Sequence, residues 1–204
     1  MYNIINLFSS SIIVFEPLED LFSLNEVKKY EYVSTDVEYS NGCYISKNTS
    51  ILNDFPKEKK IICNYFNILK NNILCHEDTE FIMTRSWATK TVKGAYSQYH
   101  KHSNNYYSGV LYFDNHDENS APIEFENPLN IFNNFQIKVS KTNYYNSQKA
   151  RMFASNKLIF FPAYLKHRIG KHQSDTLRYS IAFNFHPCGN YGSGDNELTV
   201  NNIK

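Results

Sequence analysis

Residues 99–113 read YHKHSNNYYSGVLYF: two histidines one residue apart, a polar turn, then an apolar run. The run SGVLYF has the β-branched and aromatic make-up of a strand. If the histidine pair also lies on extended backbone, side chains alternate faces, and His100 and His102 project to one side about 7 Å apart. Two imidazoles at that spacing can chelate one ion. Taken alone, H-x-H is more often a pair of surface or core histidines, so its reading turns on what the rest of the chain brings to it.

Around this stretch the pattern is β-type. From about residue 80, the runs FIMTRSWATKTV, AYSQYHKH, SGVLYF, PIEFE, FQIKVS, KLIFFP and RYSIAFNF follow one another across Asn, Asp, Gly and Ser clusters. Strand after strand without intervening helices predicts an antiparallel sandwich or small barrel. Upstream, PLEDLFSLNEVKKY (17–30) and KEKKIICNYFNILKNNIL (57–74) carry apolar residues at three-to-four spacing and predict two packing helices. A first strand is expected ahead of them, within MYNIINLFSSSIIVF. No repeat or linker divides the chain, so residues 1–204 read as one domain. Residues 1–79 form an N-terminal strand and helices, 80–185 the β core, and 186–204 a Gly- and Asn-rich tail over the surface.

Composition sets limits on function. With 42% hydrophobic and 16% aromatic residues the chain has enough apolar surface for a proper core. A net charge of +1 offers no basic excess, so neither nucleic acid nor an anionic membrane is indicated. Cys43, Cys63, Cys75 and Cys188 form no C-x-x-C pair, which predicts reduced thiols rather than a structural zinc site. The start lacks a positive n-region and no apolar run approaches spanning length, so a cytoplasmic protein is expected and no membrane partner. No coiled-coil or symmetric patch that would mark an oligomer is legible.

Two distant segments change the weight of the histidine pair. LIFFPAYLKHRIG (158–170) ends a strand, turns at Pro162 and presents His167. An H-x-H at one strand end, some strands, then a strand–Pro-turn–His is how a double-stranded β-helix, the jelly-roll or cupin-like barrel, closes a three-ligand metal site. In RYSIAFNF (178–185), alternation sets Arg178, Ser180, Ala182 and Asn184 on one face and Tyr179, Ile181, Phe183 and Phe185 on the other. The second set is core. An arginine heading the first is costly inside a barrel unless an anion meets it. That anion is either a protein carboxylate or a ligand carboxylate, for which a guanidinium and hydroxyl at R-x-S make a clamp. The polar segments TVKGAYSQ (91–98) and DNHDENSA (114–121) are natural rims, with Trp87, Tyr96, Tyr106 and Tyr107 as candidate pocket walls or core residues. His76, His116, His172 and His186 sit in polar surroundings and are expected to be solvated.

The ordered segments YHKHSNNYYSGVLYF, APIEFENP, KLIFFPAYLKHRIG and LRYSIAFNF, with YSNGCYIS and SWATK upstream, resemble the iron(II)/2-oxoglutarate-dependent oxygenase superfamily. The closest likeness is to its branch with H-x-H, S-G-V-x-Y and F-P-x-x-L-x-H. The resemblance covers roughly residues 40 to 185. It implies a dioxygenase that uses Fe(II), 2-oxoglutarate and O₂, forms succinate and CO₂, and hydroxylates a protein side chain or small metabolite. It implies His100 and His167 as iron ligands, with His102 where the superfamily usually has a carboxylate. Arg178 falls where the superfamily's arginine holds the far carboxylate of 2-oxoglutarate, with Ser180, Tyr112 and Asn184 as further donors. Two readings compete: a cupin-type three-histidine dioxygenase that needs no oxoacid, and a non-catalytic binding module on the same barrel.

Overall fold

The alternation in RYSIAFNF organises the architecture. In the computed structural model, which describes residues 10–16, 21–35, 40–76, 79–113, 116–129 and 138–201, this segment opens the long strand β10 (Arg178–Tyr191). Ahead of it lie β1 (Ile13–Phe15), α1 (Leu24–Val27), β2 (Tyr32–Ser34), β3 (Ser40–Ser46) and α2 (Pro56–Asn72). Then come β4 (Glu80–Ser97), β5 (Tyr107–Tyr112), β6 (Ile123–Glu126), β7 (Lys149–Met152), β8 (Lys157–Pro162) and β9 (His167–Ile169), with β11 (Leu198–Val200) after β10. The larger sheet has the order β1-β8-β5-β10-β4-β3-β2, with β11 against the end of β10, and the smaller has the order β7-β6-β9. Among the described residues the named strands pair antiparallel, and the fold is a double-stranded β-helix.

The two faces of the larger sheet are divided as the alternation predicts. Tyr179, Ile181, Phe183 and Phe185 join Leu111, Leu158 and Phe160 in a core covered by Ile62, Phe66 and Leu69 of α2. Phe66 stacks on Phe185 with ring centroids 4.0 Å apart. Burying each such ring stabilises the fold by about 1.5–3 kcal/mol. α2 begins at Pro56, where a missing N–H costs nothing. On β5, Gly109 lies opposite Phe183. A Cβ at Gly109 would stand 2.6 Å from the Phe183 ring carbon Cζ and 2.8 Å from the Ile159 carbonyl. The glycine of S-G-V therefore makes room for a core ring.

The opposite face looks toward the smaller sheet. Between them, Tyr112, Ile159 and Phe161 pack with Ile123, Phe125 and Leu165 in a second core. Among the described residues no helix is long and apolar enough to cross a membrane.

Several sequence expectations are corrected. The helix expected over 17–30 is one turn at Leu24–Val27, with 17–20 outside the described residues. Phe22 and Val27 are buried, and contacts of Phe22 with Phe55 and Phe113 fix this segment rather than helical pairing. TVKGAYSQ is not a rim loop: β4 runs unbroken to Ser97, with Gly94 absorbing a positive φ of 84°. The strand expected in FQIKVS is absent at 138–140, its first residues lying outside those described, and β7 takes that place in the smaller sheet. β7 and β9 are short and carry no clean alternation, so only pairing with β6 marks them. β3 was unforeseen as a strand, and residues after Phe185 are not simply a surface tail, since β10 continues to Tyr191 and β11 pairs back onto it.

Candidate active site

The Pro162 turn after β8 carries the backbone that assembles the histidines. Leu165 N–H closes the turn on the Pro162 carbonyl, and the next carbonyl, of Ala163, accepts from His102 N–H at 3.1 Å. His100 and His167 exchange both backbone bonds, at 3.0 and 2.9 Å, in an isolated antiparallel bridge. Residues 101 and 102 have left the ladder, so the pair does not sit on one regular strand as its spacing predicts. The three rings nonetheless converge. Centroid separations are 5.3 Å for His100–His102, 4.5 Å for His100–His167 and 5.0 Å for His102–His167. One ligand nitrogen from each lies within 4.8 Å of the others.

Local hydrogen bonds prepare two of these rings for a metal. Nδ1 of His100 meets the Gln98 carbonyl and Nδ1 of His167 the Leu165 carbonyl, each at 2.9 Å. A carbonyl only accepts, so Nδ1 carries the proton in both and Nε2 presents its lone pair. Burial, reinforced by the neighbouring His100, pushes His102 down to about 4 and His167 to about 3. Both are therefore neutral near pH 7, the form that ligates. Trp87 packs 5.6 Å from the His102 ring, and Phe161 lies 4.6 Å from that of His167. Of the candidate walls Trp87 reaches the histidines, whereas Tyr107 belongs to the outer core and Tyr106 is exposed beside His76.

Glu124 of β6 is committed to two arginines. It is fully buried and takes bonds from Arg151 at 2.8 and 2.5 Å and from Arg168 at 2.7 Å. Burial raises its carboxyl, but these arginines more than offset that and hold it below the ordinary carboxylate range.

Along the same face of the larger sheet lies Arg178. It is 2% exposed, and its Nε and Nη1 have no hydrogen-bond partner. Its guanidinium lies 4.5 Å over the ring of Tyr112, which is itself buried and whose hydroxyl hydrogen-bonds with it. No protein carboxylate among the described residues pairs with it. Ser180 shares its hydroxyl with Thr89 at 2.6 Å. Asn184 accepts from Ser108 at 2.7 Å through Oδ1, six residues along the strand from Arg178. At about 3.3 Å per residue that places it well away from the guanidinium, at the histidine end.

Sequence reading missed Thr89 and Thr91, which alternate with Trp87 on β4 and pair with Ser180 and Arg178. Their i, i+2, i+4 spacing from Trp87 was visible, but its meaning required the β4–β10 register. The expectation that the remaining histidines are solvated fails at His172 and is met only in part at His116 and His186. His172 is fully buried, accepting from Ala121 N–H and donating to the Thr176 carbonyl, and His116 and His186 each bury one ring nitrogen.

Residues 85–184 match the family described as "putative 2OG-Fe(II) oxygenase". Residues 85–184 belong to the iron(II)/2-oxoglutarate oxygenase superfamily. Its fold is similar to that of a Pseudomonas putida prolyl-4-hydroxylase, at TM-score 0.58 and 11% identity over 87% of this chain and 93% of that one. It is also similar to a 2OG-Fe(II) oxygenase family oxidoreductase from Burkholderia pseudomallei, at TM-score 0.55 and 9% identity over 86% and 84% of the two chains. A third likeness is to HygX from Streptomyces hygroscopicus, crystallised with nickel and 2-oxoglutarate, at TM-score 0.54 and 9% identity over 87% and 83%. No curated protein matches this oxygenase by sequence.

Proposed function

We propose that this oxygenase holds Fe(II) on His100, His102 and His167, binds 2-oxoglutarate with its far carboxylate on Arg178, and hydroxylates a C–H bond of a protein side chain or small metabolite. The observation that carries the reading is a buried guanidinium with two unpaired nitrogens on the larger-sheet face whose Trp87 packs against the histidine cluster. A buried charge without a partner is costly, so a site that keeps one is built for an anion brought from outside.

The donor set fits a ferrous ion. Imidazole suits Fe(II), and three neutral ligands leave the ion's charge for an oxoacid to balance. When bound, the ion and the oxoacid supply the oxidising chemistry with O₂. The chain supplies position and exclusion of water. The carbonyls of Gln98 and Leu165 aim Nε2 of His100 and His167. Tyr112 and Arg178 orient the far carboxylate, while Phe161, Phe125 and Trp87 keep the histidines dry. The charge balance leaves His102 with a clear role, that of a neutral third donor in place of a carboxylate.

The solved structures of similar fold include the prolyl-4-hydroxylase, HygX with hygromycin B bound and SnoN with nogalamycin RO bound, which supports both a peptide and a small-molecule substrate as classes to screen. A three-histidine dioxygenase that needs no oxoacid would leave Arg178 without purpose. The test is succinate formation by the Fe(II)-loaded protein, alone and with panels of peptides and metabolites. Slow uncoupled succinate formation that disappears in His167→Ala is expected. Turnover of a substrate without 2-oxoglutarate would overturn the reading.

A further inference from the structure

Among the described residues, five buried side-chain polar atoms have no hydrogen-bond partner: Arg178 Nε and Nη1, Thr91 Oγ1, His116 Nε2 and His186 Nδ1. Such atoms are rare in native folds. Four of the five belong to one neighbourhood. Thr91 stands opposite Arg178 in the β4–β10 register. The Cys43 sulfur, which faces Thr91 across the β3–β4 register, is only a weak acceptor for its hydroxyl. The His116 ring meets the edge of Tyr112 at 6.1 Å, the same ring that Arg178 covers at 4.5 Å. A guanidinium and an imidazole beside one tyrosine, with a hydroxyl opposite the guanidinium, are groups that a single carboxylate could satisfy.

We propose that His116 is a further 2-oxoglutarate-binding residue, which takes up a proton when the oxoacid binds and donates from Nε2 to its far carboxylate, with Thr91 Oγ1 as an accompanying donor. This rests on the reading of Arg178 as the oxoacid's anchor. The proton follows from the geometry. The His116 ring donates to the Tyr179 carbonyl, and because Nε2 is the unpaired nitrogen, the donor is Nδ1. A neutral ring with its proton on Nδ1 has only a lone pair at Nε2, which repels a carboxylate. Only the imidazolium carries donors at both positions.

The surroundings make the proton conditional on the anion. Without ligand, burial pushes His116 down to about 4, and the charge of Arg178 pushes the same way. The Tyr179 carbonyl and Asp117 pull upward, and Asp117 is itself occupied by Ser174, Ser120 and the Asn119 N–H. Tyr112 stays protonated, raised by burial against the pull of Arg178. A bound carboxylate would cancel the Arg178 term and bond Nε2 directly, so each favours the charged ring. Binding and protonation are then linked, and affinity for 2-oxoglutarate should strengthen as pH falls, by up to about tenfold per unit for one proton exchanged.

The test is calorimetric titration of 2-oxoglutarate into the full chain loaded with Zn(II), which is redox-inert, between about pH 6 and 8 in buffers of different ionisation enthalpy. Wild type should take up a proton fraction that rises toward one as pH falls, with Kd tightening in parallel. His116→Gln keeps an N–H donor but cannot titrate. It should bind with no proton uptake and a flat pH profile, about tenfold weaker than wild type at the acid end. Should that variant misfold, the His116 ring nitrogen shifts of wild type, followed by NMR with and without the oxoacid, report the same protonation. Proton uptake and pH profile unchanged in His116→Gln, or a neutral His116 ring in the bound state, would overturn the proposal while leaving Arg178 as the anchor. If wild type binds no 2-oxoglutarate, the anchor reading falls as well.

Discussion

Replacing Arg178 with Met should make the ligand-free protein more stable while abolishing its response to 2-oxoglutarate. The side chain is 2% exposed, and two of its nitrogens are unpaired. Each unsatisfied buried donor costs about 1–3 kcal/mol, and removing the guanidinium relieves both. Against this stand its position over the Tyr112 ring, worth about 0.5–2 kcal/mol, and its hydrogen bond with the buried Tyr112 hydroxyl, worth about 1 kcal/mol. Methionine is unbranched and fills most of the same volume. The balance is a gain of about 2 kcal/mol, which for a chain of this size raises Tm by roughly 4–8 °C. Wild type, given 2-oxoglutarate at a hundred times its Kd, should gain about 2.7 kcal/mol by mass action, whereas the variant should gain nothing. Thermal and urea melts of both proteins, with metal and with or without the oxoacid, measure all four states. A loss of about 3–5 kcal/mol in the ligand-free variant is what breaking a buried ion pair costs. That result would mean Arg178 has a protein partner, and the reasoning for an anion site would fail.

Three further outcomes follow from the geometry. His100→Ala and His167→Ala should each cut metal affinity by more than the roughly 10–100-fold typical of losing an outer partner, because each removes an Nε2 already aimed by a carbonyl; His102→Asp should retain the metal, as read by calorimetry. His102 and His167 titrate below their ordinary range, at about 4 and about 3, so their neutral forms are favoured by folding. The unfolded chain takes up their protons first as pH falls below about 6.5. Metal-free stability should therefore be full above that pH and decline toward about 4, each group contributing up to about 1.4 kcal/mol per pH unit; a urea midpoint unchanged from pH 7 to 5 would contradict this. Gly109→Ala should destabilise by about 1–3 kcal/mol in urea melts, since its Cβ meets the Phe183 ring and the Ile159 carbonyl.

Periodicity carried the sequence reading where one chain segment faces a single environment. RYSIAFNF alternates because one side meets α2 and the other the site, and both faces lie where the pattern put them. α2 was legible within two residues for the same reason: Ile62, Phe66 and Leu69 recur on one buried stripe. H-x-H with the distant strand–Pro-turn–His likewise pointed to three convergent imidazoles. β7, by contrast, is KARM, mostly exposed, and is a strand only because β6 lies beside it with Glu124 opposite Arg151.

The deepest division concerns polar groups. Residue types and spacing by themselves determined a mostly β barrel, its metal-competent histidines and an arginine on the inward face, because these rest on local geometry. Whether that arginine pairs with a protein carboxylate was open, and so was the state of His116, which its polar neighbours marked as solvated. Both were decided by tertiary structure alone, for a physical reason. An unpaired group is defined by everything near it in space, and here those neighbours come from β3, β4, β5 and β10, remote from one another along the chain.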